Sequence, residues 1–353
     1  MSNIHEFLLR KNIVITLHRY GIEALGAMAQ GLFCSLLIGT IMSTLGKQLD
    51  IGILVTVGKF ASSMSGPAMA IAIGFALRSP PMVLFSLVVV GASANGLGGA
   101  GGPLAVLIIA IIAAEFGKVV SGETKVDILV TPAVTIFTGV SLSLLIAPPI
   151  GSAAASVGKL IMFATELQPF LMGCLVSVIV GICLTLPISS AAICAALGLT
   201  GLAGGAAVAG CCAQMVGFAV ISFKENGYGG LISQGIGTSM LQMGNIVRNP
   251  RIWIAPILTS AITGPLATCV FSLNMNGPAV SSGMGTCGLV GQLGVYSGWI
   301  SDIAAGSKEA ITSFDWLGLV MISFILPALI CPLIHLCVRK IGWVQDGDLK
   351  LSR

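Results

Sequence analysis

Polar side chains interrupt the apolar segments of this chain at a few positions, and these side chains are the ones that could do chemistry. Asn95 and Asn226 each end an apolar run and precede a glycine-rich turn, with Gly96 and Gly227 as the next residues. A carboxamide carries a hydrogen-bond donor and an acceptor together, which suits either the hydroxyl groups of a solute or a backbone group freed at a broken helix. The pattern leaves two roles open, a cap of the following half-helix or a direct ligand contact.

Acidic and amide side chains near these turns extend the candidate site. Glu225 precedes Asn226, and it is either part of a solvated Lys-Glu pair or a ligand for a solute or a proton. Glu166 and Gln168 stand just before a proline, between two apolar segments. The Glu166 carboxylate lies either at a membrane interface or in a binding cavity, where it would accept hydrogen bonds from hydroxyl groups.

Further amides lie inside or between apolar runs. Gln214 stands in the middle of one run, where an unpaired amide would cost several kcal/mol, so it must face protein or a cavity. An interhelical hydrogen bond is the alternative to a solute contact there. Asn274 and Asn276 form a second polar notch before Gly277-Pro278. The complete predicted solute-binding set is Asn95, Gly96, Glu166, Gln168, Gln214, Glu225, Asn226, Gly227, Asn274 and Asn276.

No residue pattern typical of catalysis, metal binding or cofactor binding stands out. The ten cysteines lie almost wholly inside apolar runs without a C-x-x-C pair, and no histidine has metal-ligand spacing. We interpret the cysteines as small packing residues. The glycine-rich turns lie between apolar runs rather than after a strand, which argues against a dinucleotide fingerprint. The sequence therefore predicts no catalytic residue, no metal and no cofactor.

The composition is typical of a membrane protein. Of the 353 residues, 56% are hydrophobic and 8% are charged, and the mean hydropathy is +1.01. Soluble domains carry roughly 25% charged residues, so most of this surface is expected to face lipid. At roughly 20 residues per span, the apolar runs allow about ten transmembrane helices, with a range of about 9–12.

Basic residues near the two ends of the chain predict its orientation. Arg10, Lys11 and Arg19 precede the first long apolar run, and Arg339 and Lys340 follow the last one. The positive-inside rule places both ends in the cytoplasm, and this distribution argues against a nucleic-acid-binding face. A structural ion cluster on the cytoplasmic side is predicted from Glu115, Lys118, Lys125 and Asp127.

The two halves of the chain repeat one pattern. Asn95-Gly96-Leu97-Gly98-Gly99 returns as Asn226-Gly227-Tyr228-Gly229-Gly230, and Gly31-xxx-Ser35-xxx-Gly39 matches Gly173-xxx-Ser177-xxx-Gly181. About five apolar runs per half, an odd number, predict that the second repeat is inverted relative to the first. The glycine clusters at residues 96–102 and 227–237 are not expected to form regular helix, because each glycine costs roughly 1 kcal/mol there relative to alanine.

The predicted fold class is an all-α integral membrane protein built from two inverted repeats with broken or re-entrant helices. The segments after Pro148-Pro149 and Gly277-Pro278 are either re-entrant half-helices or full crossings. The predicted organisation is an amphipathic N-terminal segment at 1–22, membrane repeats at 23–168 and 169–300, a linker with a final transmembrane helix at 301–338, and a cytoplasmic tail at 339–353.

Several motifs of this chain resemble those of one membrane-protein family. They include Glu115-Phe116-Gly117-Lys118, Thr165-Glu166-Leu167-Gln168-Pro169-Phe170, Lys224-Glu225-Asn226-Gly227-Tyr228-Gly229-Gly230 and Gly283-Met284-Gly285-Thr286-Cys287-Gly288. Over roughly residues 25 to 300, the chain resembles the EIIC-like membrane components of the bacterial sugar phosphotransferase system, the group that includes the PfoR type.

The resemblance implies a permease subunit of the bacterial cytoplasmic membrane that works as a homodimer in the lipid bilayer. Such a subunit carries a sugar-like solute inward, and separate EIIB and EIIA phosphocarrier proteins supply the phosphoryl group. On this implication, the sugar hydroxyls would be bound by Asn95, Glu166, Glu225 and Asn226. No cysteine or histidine has the loop setting of a phosphorylation site, so any phosphotransfer is expected on the partners.

Two other functions stay open from the sequence. An ion-coupled secondary transporter of another solute, such as an anion held at half-helix N-termini, would use the same repeats without phosphotransfer. A membrane sensor or regulator would bind a ligand and signal to a partner without solute flux. Formation of a phosphorylated product separates the first function from the second, and binding without flux indicates the third.

Overall fold

A computed structural model describes residues 2–351, with no side chains described for residues 2–5 and Gln48. Helices form most of these residues, and the one isolated β-bridge among them joins Gly201 to Met275. Contacts divide the chain into two compact units, one ending at Ala153 and one beginning at Ala154. This division precedes the predicted boundary between the repeats at residues 168 and 169, and the inverted relation of the repeats stays a prediction.

The first unit contains seven α-helices and the larger part of an eighth. They are α1 Ser2–Arg10, α2 Ala24–Leu32, α3 Ile38–Gln48, α4 Gly52–Ser63, α5 Ser65–Ala76, α6 Pro81–Gly98, α7 Gly102–Val120 and α8 Asp127–Thr165, which continues into the second unit. Two π-helical turns, Arg19–Glu23 and Phe33–Leu37, and one 3₁₀ turn, Gly99–Gly101, connect some of them.

The remaining α-helices belong to the second unit. They are α9 Pro169–Thr185, α10 Ser190–Ala196, α11 Gly201–Ile221, α12 Phe223–Ile232, α13 Met243–Arg248, α14 Ile254–Pro265, α15 Val290–Ala304, α16 Ser313–Val320 and α17 Leu326–Lys340. The π turns are Ser233–Gly237, Leu266–Val270 and Met321–Ile325, and the 3₁₀ turns are Ser239–Gln242, Pro250–Trp253, Ala279–Gly283 and Cys287–Leu289.

Within residues 2–351, six helical runs are long and apolar enough to cross a membrane. They are Arg19–Lys47, Pro81–Val120, Asp127–Thr165, Gly201–Ile221, Pro250–Val270 and Ser313–Lys340. Two shorter apolar helices, Ser65–Ala76 and Pro169–Thr185, accompany them. The prediction of an all-α membrane protein is confirmed, while the total number of crossings stays a prediction.

The apolar run Pro81–Val120 turns back on itself at Gly99. Gly99 has a φ of +49°, a left-handed conformation that favours glycine. Helix α6 then packs against α7, with Gly102 against the side chain of Asn95. The two helices have 18 and 19 residues, so each is roughly 27–29 Å long, close to the ~30 Å hydrocarbon thickness of a bilayer. The prediction of irregular backbone in this glycine cluster is confirmed.

The predicted break at Pro148-Pro149 is wrong. Asp127–Thr165 forms one helix of 39 residues with Pro132, Pro148 and Pro149 inside it. Proline ends most helices in water, but membrane helices tolerate it because neighbouring groups and local adjustments satisfy the freed backbone carbonyls. The break at Gly277-Pro278 does interrupt helix, since no α-helix lies between Pro265 and Val290.

Small residues bring helices α9, α11 and α14 into backbone contact. A methyl group added at Gly210 would meet the carbonyl of Ser177, and one added at Gly264 would meet the carbonyl of Gly173. The Ser177 hydroxyl also donates a hydrogen bond to the Ser260 carbonyl at 2.6 Å. Close approach at small residues is the usual basis of helix association in membranes, where the hydrophobic effect between helices is absent.

Gly210→Ala is therefore expected to destabilise the protein strongly. Overpacking typically costs ~1–3 kcal/mol, and here the methyl group would meet backbone that a rotamer change cannot move. Thermal unfolding of the purified protein in nanodiscs measures the loss. Gly229→Ala is the matched control, because no atom lies within 4 Å of a methyl group added there. Equal unfolding temperatures for the two variants would contradict the packing argument.

Candidate functional site

Five of the predicted site residues of the second unit, Gln214, Glu225, Asn226, Asn274 and Asn276, are spread along α11 and do not form one cluster. Backbone hydrogen bonds of 3.0 and 2.9 Å join Gly201, the first residue of α11, to Met275. Asn274 and Asn276 therefore flank the start of α11, and Gln214 lies in its middle. Glu225 and Asn226 lie just beyond the other end of the helix. The molecule thus has three polar levels along α11, one at its start, one in its middle and one beyond its end.

A polar cavity of about 270 Å³ lies at the first level. The Asn276 side-chain amide donates to both carboxylate oxygens of Asp302, at 3.1 and 2.8 Å. The Lys308 ammonium forms an ion pair with Asp315 at 2.9 Å. We call this cavity the notch pocket, and its lining residues are Ser272, Asn274, Asn276, Trp299, Asp302, Ser307, Lys308 and Asp315.

Aromatic side chains support one wall of the notch pocket. Trp299 is 3% exposed and packs edge-to-face on Trp316, with ring centroids 5.4 Å apart. Tyr296 packs on the same Trp316 ring at 5.7 Å. The lining thus combines a nearly buried indole with amide, carboxylate and ammonium groups that supply donors and acceptors. A concave site with this combination suits a small solute that carries several hydroxyl groups.

The sequence predicted Asn274 and Asn276 but missed their partners. Asp302, Lys308 and Asp315 lie in or next to the segment between α15 and α16, which the sequence marks only as a short polar linker. A local motif does not indicate that Asp302 meets Asn276, because the two are 26 residues apart. The available signal was the charge of that linker in a chain with only 8% charged residues.

The second level is a buried hydrogen-bond network around Gln214, which has no exposed surface. Its carbonyl oxygen accepts from the Trp253 indole N–H at 2.8 Å and from the Thr185 hydroxyl at 3.3 Å. Its amide nitrogen donates to the Ser260 hydroxyl at 3.3 Å. These bonds tie α11 to α9 and to the segment that carries α14. Gln214 therefore makes the interhelical hydrogen bonds that were one of its two predicted roles.

The third level holds the C-terminal segment of the chain. The Asn226 amide donates to the Leu349 carbonyl at 2.8 Å, and its carbonyl oxygen accepts from the Leu351 backbone N–H at 2.9 Å. The Glu225 carboxylate accepts from the backbone N–H groups of Gly347 and Leu349, at 3.1 and 3.0 Å. Both polar side chains therefore bind a stretch of peptide backbone. We call residues 343–351 the tail.

Three buried amides complete the binding site of the tail. Gln242 donates to the Leu349 carbonyl and Asn245 to the Lys350 carbonyl, each at 3.0 Å. Gln242 also donates to Gln234 at 2.9 Å. Leu349 itself is 1% exposed. The tail is thus held by side-chain amides acting on its backbone and by one buried leucine, and the sequence contained no local signal of this contact.

Charged residues flank the point at which the tail begins. The Arg339 guanidinium donates to the Asp346 carboxylate, and Lys224 lies 3.7 Å from the same oxygen. The hydrogen bond from Arg339 and the positive charge of both neighbours hold the pKa of Asp346 below its ordinary value. Asp346 therefore remains ionised at neutral pH, and its attachment is lost only as the pH falls through this lowered pKa.

The notch pocket and the tail lie at opposite ends of one apolar helical run. Ser313–Lys340 has 28 residues, which is roughly 40 Å at 1.5 Å per residue. Asp315 of the notch pocket stands near its start, and the tail follows its end. If this run crosses the bilayer, the two polar regions face opposite sides of the membrane.

The other predicted residues have separate positions. Asn95 is half-buried in α6 and donates to the Ser65 hydroxyl at 3.4 Å, and Gly96 is exposed. Glu166 and Gln168 are exposed between α8 and α9, and neither side chain forms a hydrogen bond with a described residue. Gly227 has a φ of +60° and forms a kink within α12, so the second glycine cluster is irregular, as predicted.

A family model described as "Phosphotransferase system, EIIC" matches residues 22–351. The match includes the notch pocket, the Gln214 network and the tail. Comparisons with curated proteins and with solved structures found no match.

Proposed function

Because the chain belongs to the EIIC family of the phosphotransferase system and is a membrane permease subunit of that system, we propose that its solute is sugar-like and is first bound in the notch pocket. The observation that carries this proposal is the pairing of Asn276 with Asp302 beside Trp299 in one cavity. Membership of the EIIC family implies a sugar-like solute, and it also implies separate EIIB and EIIA proteins as partners.

The chemistry of the notch pocket supports a neutral, hydroxyl-rich solute. Asn276 and Asp302 together present donors and acceptors, as vicinal hydroxyl groups require. The ammonium of Lys308 is paired with Asp315, so the pocket does not present an uncompensated positive charge to an anion. A volume of about 270 Å³ is at the small end of the range for ligand sites, which suits one sugar ring.

The proposed route follows α11 from the notch pocket toward the tail. Gln214 would be passed midway, and its network of hydrogen bonds closes the route in this conformation. Glu225 and Asn226 would meet the solute at the far end once the tail has moved away. Solute contacts remain predictions for five other residues, namely Asn95, Gly96, Glu166, Gln168 and Gly227.

The orientation and assembly of the subunit are part of the same proposal. The basic residues before the first apolar run and after the last one favour a cytoplasmic location of both ends in the bacterial cytoplasmic membrane. The tail and Glu225 would then face the cytoplasm, where soluble phosphocarriers act, and the notch pocket would face outward. A homodimer is proposed on family resemblance alone.

Uptake by proteoliposomes tests the proposed function. Radiolabelled sugars are offered outside vesicles that contain the purified protein, with and without phosphoenolpyruvate and the soluble phosphotransferase components inside. Uptake that requires these components and yields sugar phosphate is the expected result. Uptake driven by an ion gradient alone would overturn phosphotransfer coupling, and binding without any flux would indicate a sensor instead.

A further inference from the structure

A second cavity, of about 460 Å³, lies in the first unit and is strongly basic. It is formed where the end of α1, the end of α5 and the link between α7 and α8 come together. We call it the basic cavity, and its lining residues are Arg10, Lys11, Asn12, Arg78, Pro80, Lys118, Ser121, Gly122 and Glu123. The lining therefore holds four cations and one carboxylate.

One of these cations is fully engaged by the protein. Lys118 is 1% exposed, and its ammonium pairs with Glu115 at 2.8 Å. It also donates to the carbonyls of Asn12 and Leu77, at 3.1 and 3.2 Å. Because three acceptors use its three protons, Lys118 is a structural part of the cavity wall. Of the residues in the predicted ion cluster, Glu115 and Lys118 thus form an ion pair with each other.

The single carboxylate of the lining is shared by two cations. Glu123 places one oxygen 3.0 Å from Arg10 and 2.5 Å from Lys11. The hydrogen bond from Lys11 and the charges of Lys11 and Arg10 hold the pKa of Glu123 below its ordinary value. The Asp127 carboxylate accepts from the Thr131 hydroxyl and the Gly122 N–H, which are neutral groups, so its negative charge remains beside the cavity. The carboxylates of Glu115, Glu123 and Asp127 therefore balance three of the four cations, and one positive charge of the cavity is left without a protein counter-charge.

Arg78 is the cation of the cavity without a partner. It is exposed, and its side chain forms no hydrogen bond or ion pair with residues 6–47 or 49–351. Its φ is +54°, at the end of α5, where a left-handed residue is usually glycine. A bulky side chain in this conformation is strained, and such strain often persists at a functional site. The position therefore keeps a guanidinium at the cavity although glycine would suit the backbone better.

Exposed apolar side chains adjoin the basic residues along the chain. Leu9 is 52% exposed, Ile15 77% and Leu17 73%. These side chains would be costly in water but are favourable at the boundary between lipid head groups and acyl chains. The N-terminal segment is therefore expected to lie in the membrane interface, so that the basic cavity opens at the depth of the phosphate groups.

We propose that the basic cavity is a binding site for a phosphate-bearing anion, held by Arg78 and Arg10. Guanidinium groups match phosphate oxygens with paired donors. Basic pockets beside transmembrane helices bind anionic head groups in this way. The ligand is a phosphodiester of an anionic lipid or a soluble phosphate. The site lies in the first unit, and it does not depend on the sugar site proposed for the second.

Thermal unfolding in nanodiscs tests this proposal. Phosphatidylglycerol in place of part of the phosphatidylcholine is expected to raise the unfolding temperature of the wild-type protein by roughly 3 °C or more. Arg78→Gly is expected to lose most of this rise. In phosphatidylcholine alone, the variant should be at least as stable as wild type, because glycine relieves the left-handed strain. Lys47→Gln, at an exposed cation away from the cavity, is the matched control and should keep the full rise.

One further measurement separates the two sources of the phosphate, and a second variant keeps the test valid if Arg78→Gly misfolds. Inorganic phosphate is added to phosphatidylcholine nanodiscs at the ionic strength of a chloride control. A rise with phosphatidylglycerol only assigns a lipid head group, and a rise with inorganic phosphate assigns a soluble phosphate. Arg10→Gln, at a side chain that is 64% exposed, repeats the test without a change of backbone strain. No rise with either anion, or an equal rise in wild type and both variants, would overturn the proposal.

Discussion

Asp302→Asn is expected to lower solute uptake by roughly 10- to 100-fold. The carboxylate accepts two contacts from Asn276, and of the two carboxylates that line the notch pocket it is the one not paired with a cation, since Asp315 is paired with Lys308. A hydrogen bond to a charged group contributes ~1.5–3 kcal/mol, and each ~1.4 kcal/mol corresponds to a factor of ten. Initial uptake rates in proteoliposomes, measured over a range of solute concentrations, show the loss.

Glu309→Gln is the matched control for this prediction. Glu309 is an exposed carboxylate of the same linker and does not line the notch pocket. The Glu309→Gln variant therefore shows the effect of removing one negative charge from this linker without removing a solute contact. Asn276→Ala should resemble Asp302→Asn, because it removes the other half of the pair. Wild-type uptake by Asp302→Asn and Asn276→Ala, at equal protein incorporation, would rule out the notch pocket as the solute site.

Asn226→Ala is expected to abolish uptake in the full chain and also in a chain that ends at Gly342. The side chain makes two hydrogen bonds to the tail, so its loss weakens the attachment of the tail by about 2 kcal/mol. The proposed function gives Asn226, with Glu225, a direct contact with the solute after the tail has left. The shortened chain itself is expected to transport at least as fast as the full chain, because both side chains are already free. Glu225→Gln should act like Asn226→Ala.

Asn249→Ala separates anchoring of the tail from contact with the solute. Its side chain donates to the Trp343 carbonyl at 3.0 Å and to Asp348 at 2.8 Å, so it also holds the tail by two hydrogen bonds. It is not among the predicted solute contacts, and its replacement should leave uptake intact. If Asn226→Ala has no effect in the chain that ends at Gly342, Asn226 serves the tail alone. A cooperative thermal unfolding transition of the shortened chain is the control that tests whether it is folded.

The local backbone could largely be predicted from residue types. Glycine clusters at residues 96–102 and 227–237 indicated irregular backbone, and positive φ values at Gly99 and Gly227 agree with this. These conformations depend on the absence of a Cβ atom, which is a property of the residue itself. Pro148 and Pro149 did not predict the end of a helix, because the cost of proline in a helix depends on its surroundings. In a membrane interior, non-helical backbone exposed to lipid costs more than a helix that contains proline.

The candidate site was predicted only in part. The amides at Asn274 and Asn276 were recognised as a notch because they interrupt apolar sequence, but their partners Asp302 and Trp299 come from another segment. Gln214 was correctly expected to face a partner, since an unpaired amide in an apolar helix is costly. Which groups would pair with it was not predictable, because Thr185, Trp253 and Ser260 reach it from other helices.

The sequence by itself determined that this protein is a helical membrane protein of the EIIC family. Hydropathy and charge are sums over the residues of a segment, and motifs are runs of neighbouring residues, so both can be evaluated without a fold. Only the tertiary structure decided that Glu225 and Asn226 bind the tail and that Asp302 faces Asn276. A hydrogen bond requires its donor and acceptor to lie within about 3 Å, and packing of distant segments alone brings those atoms together.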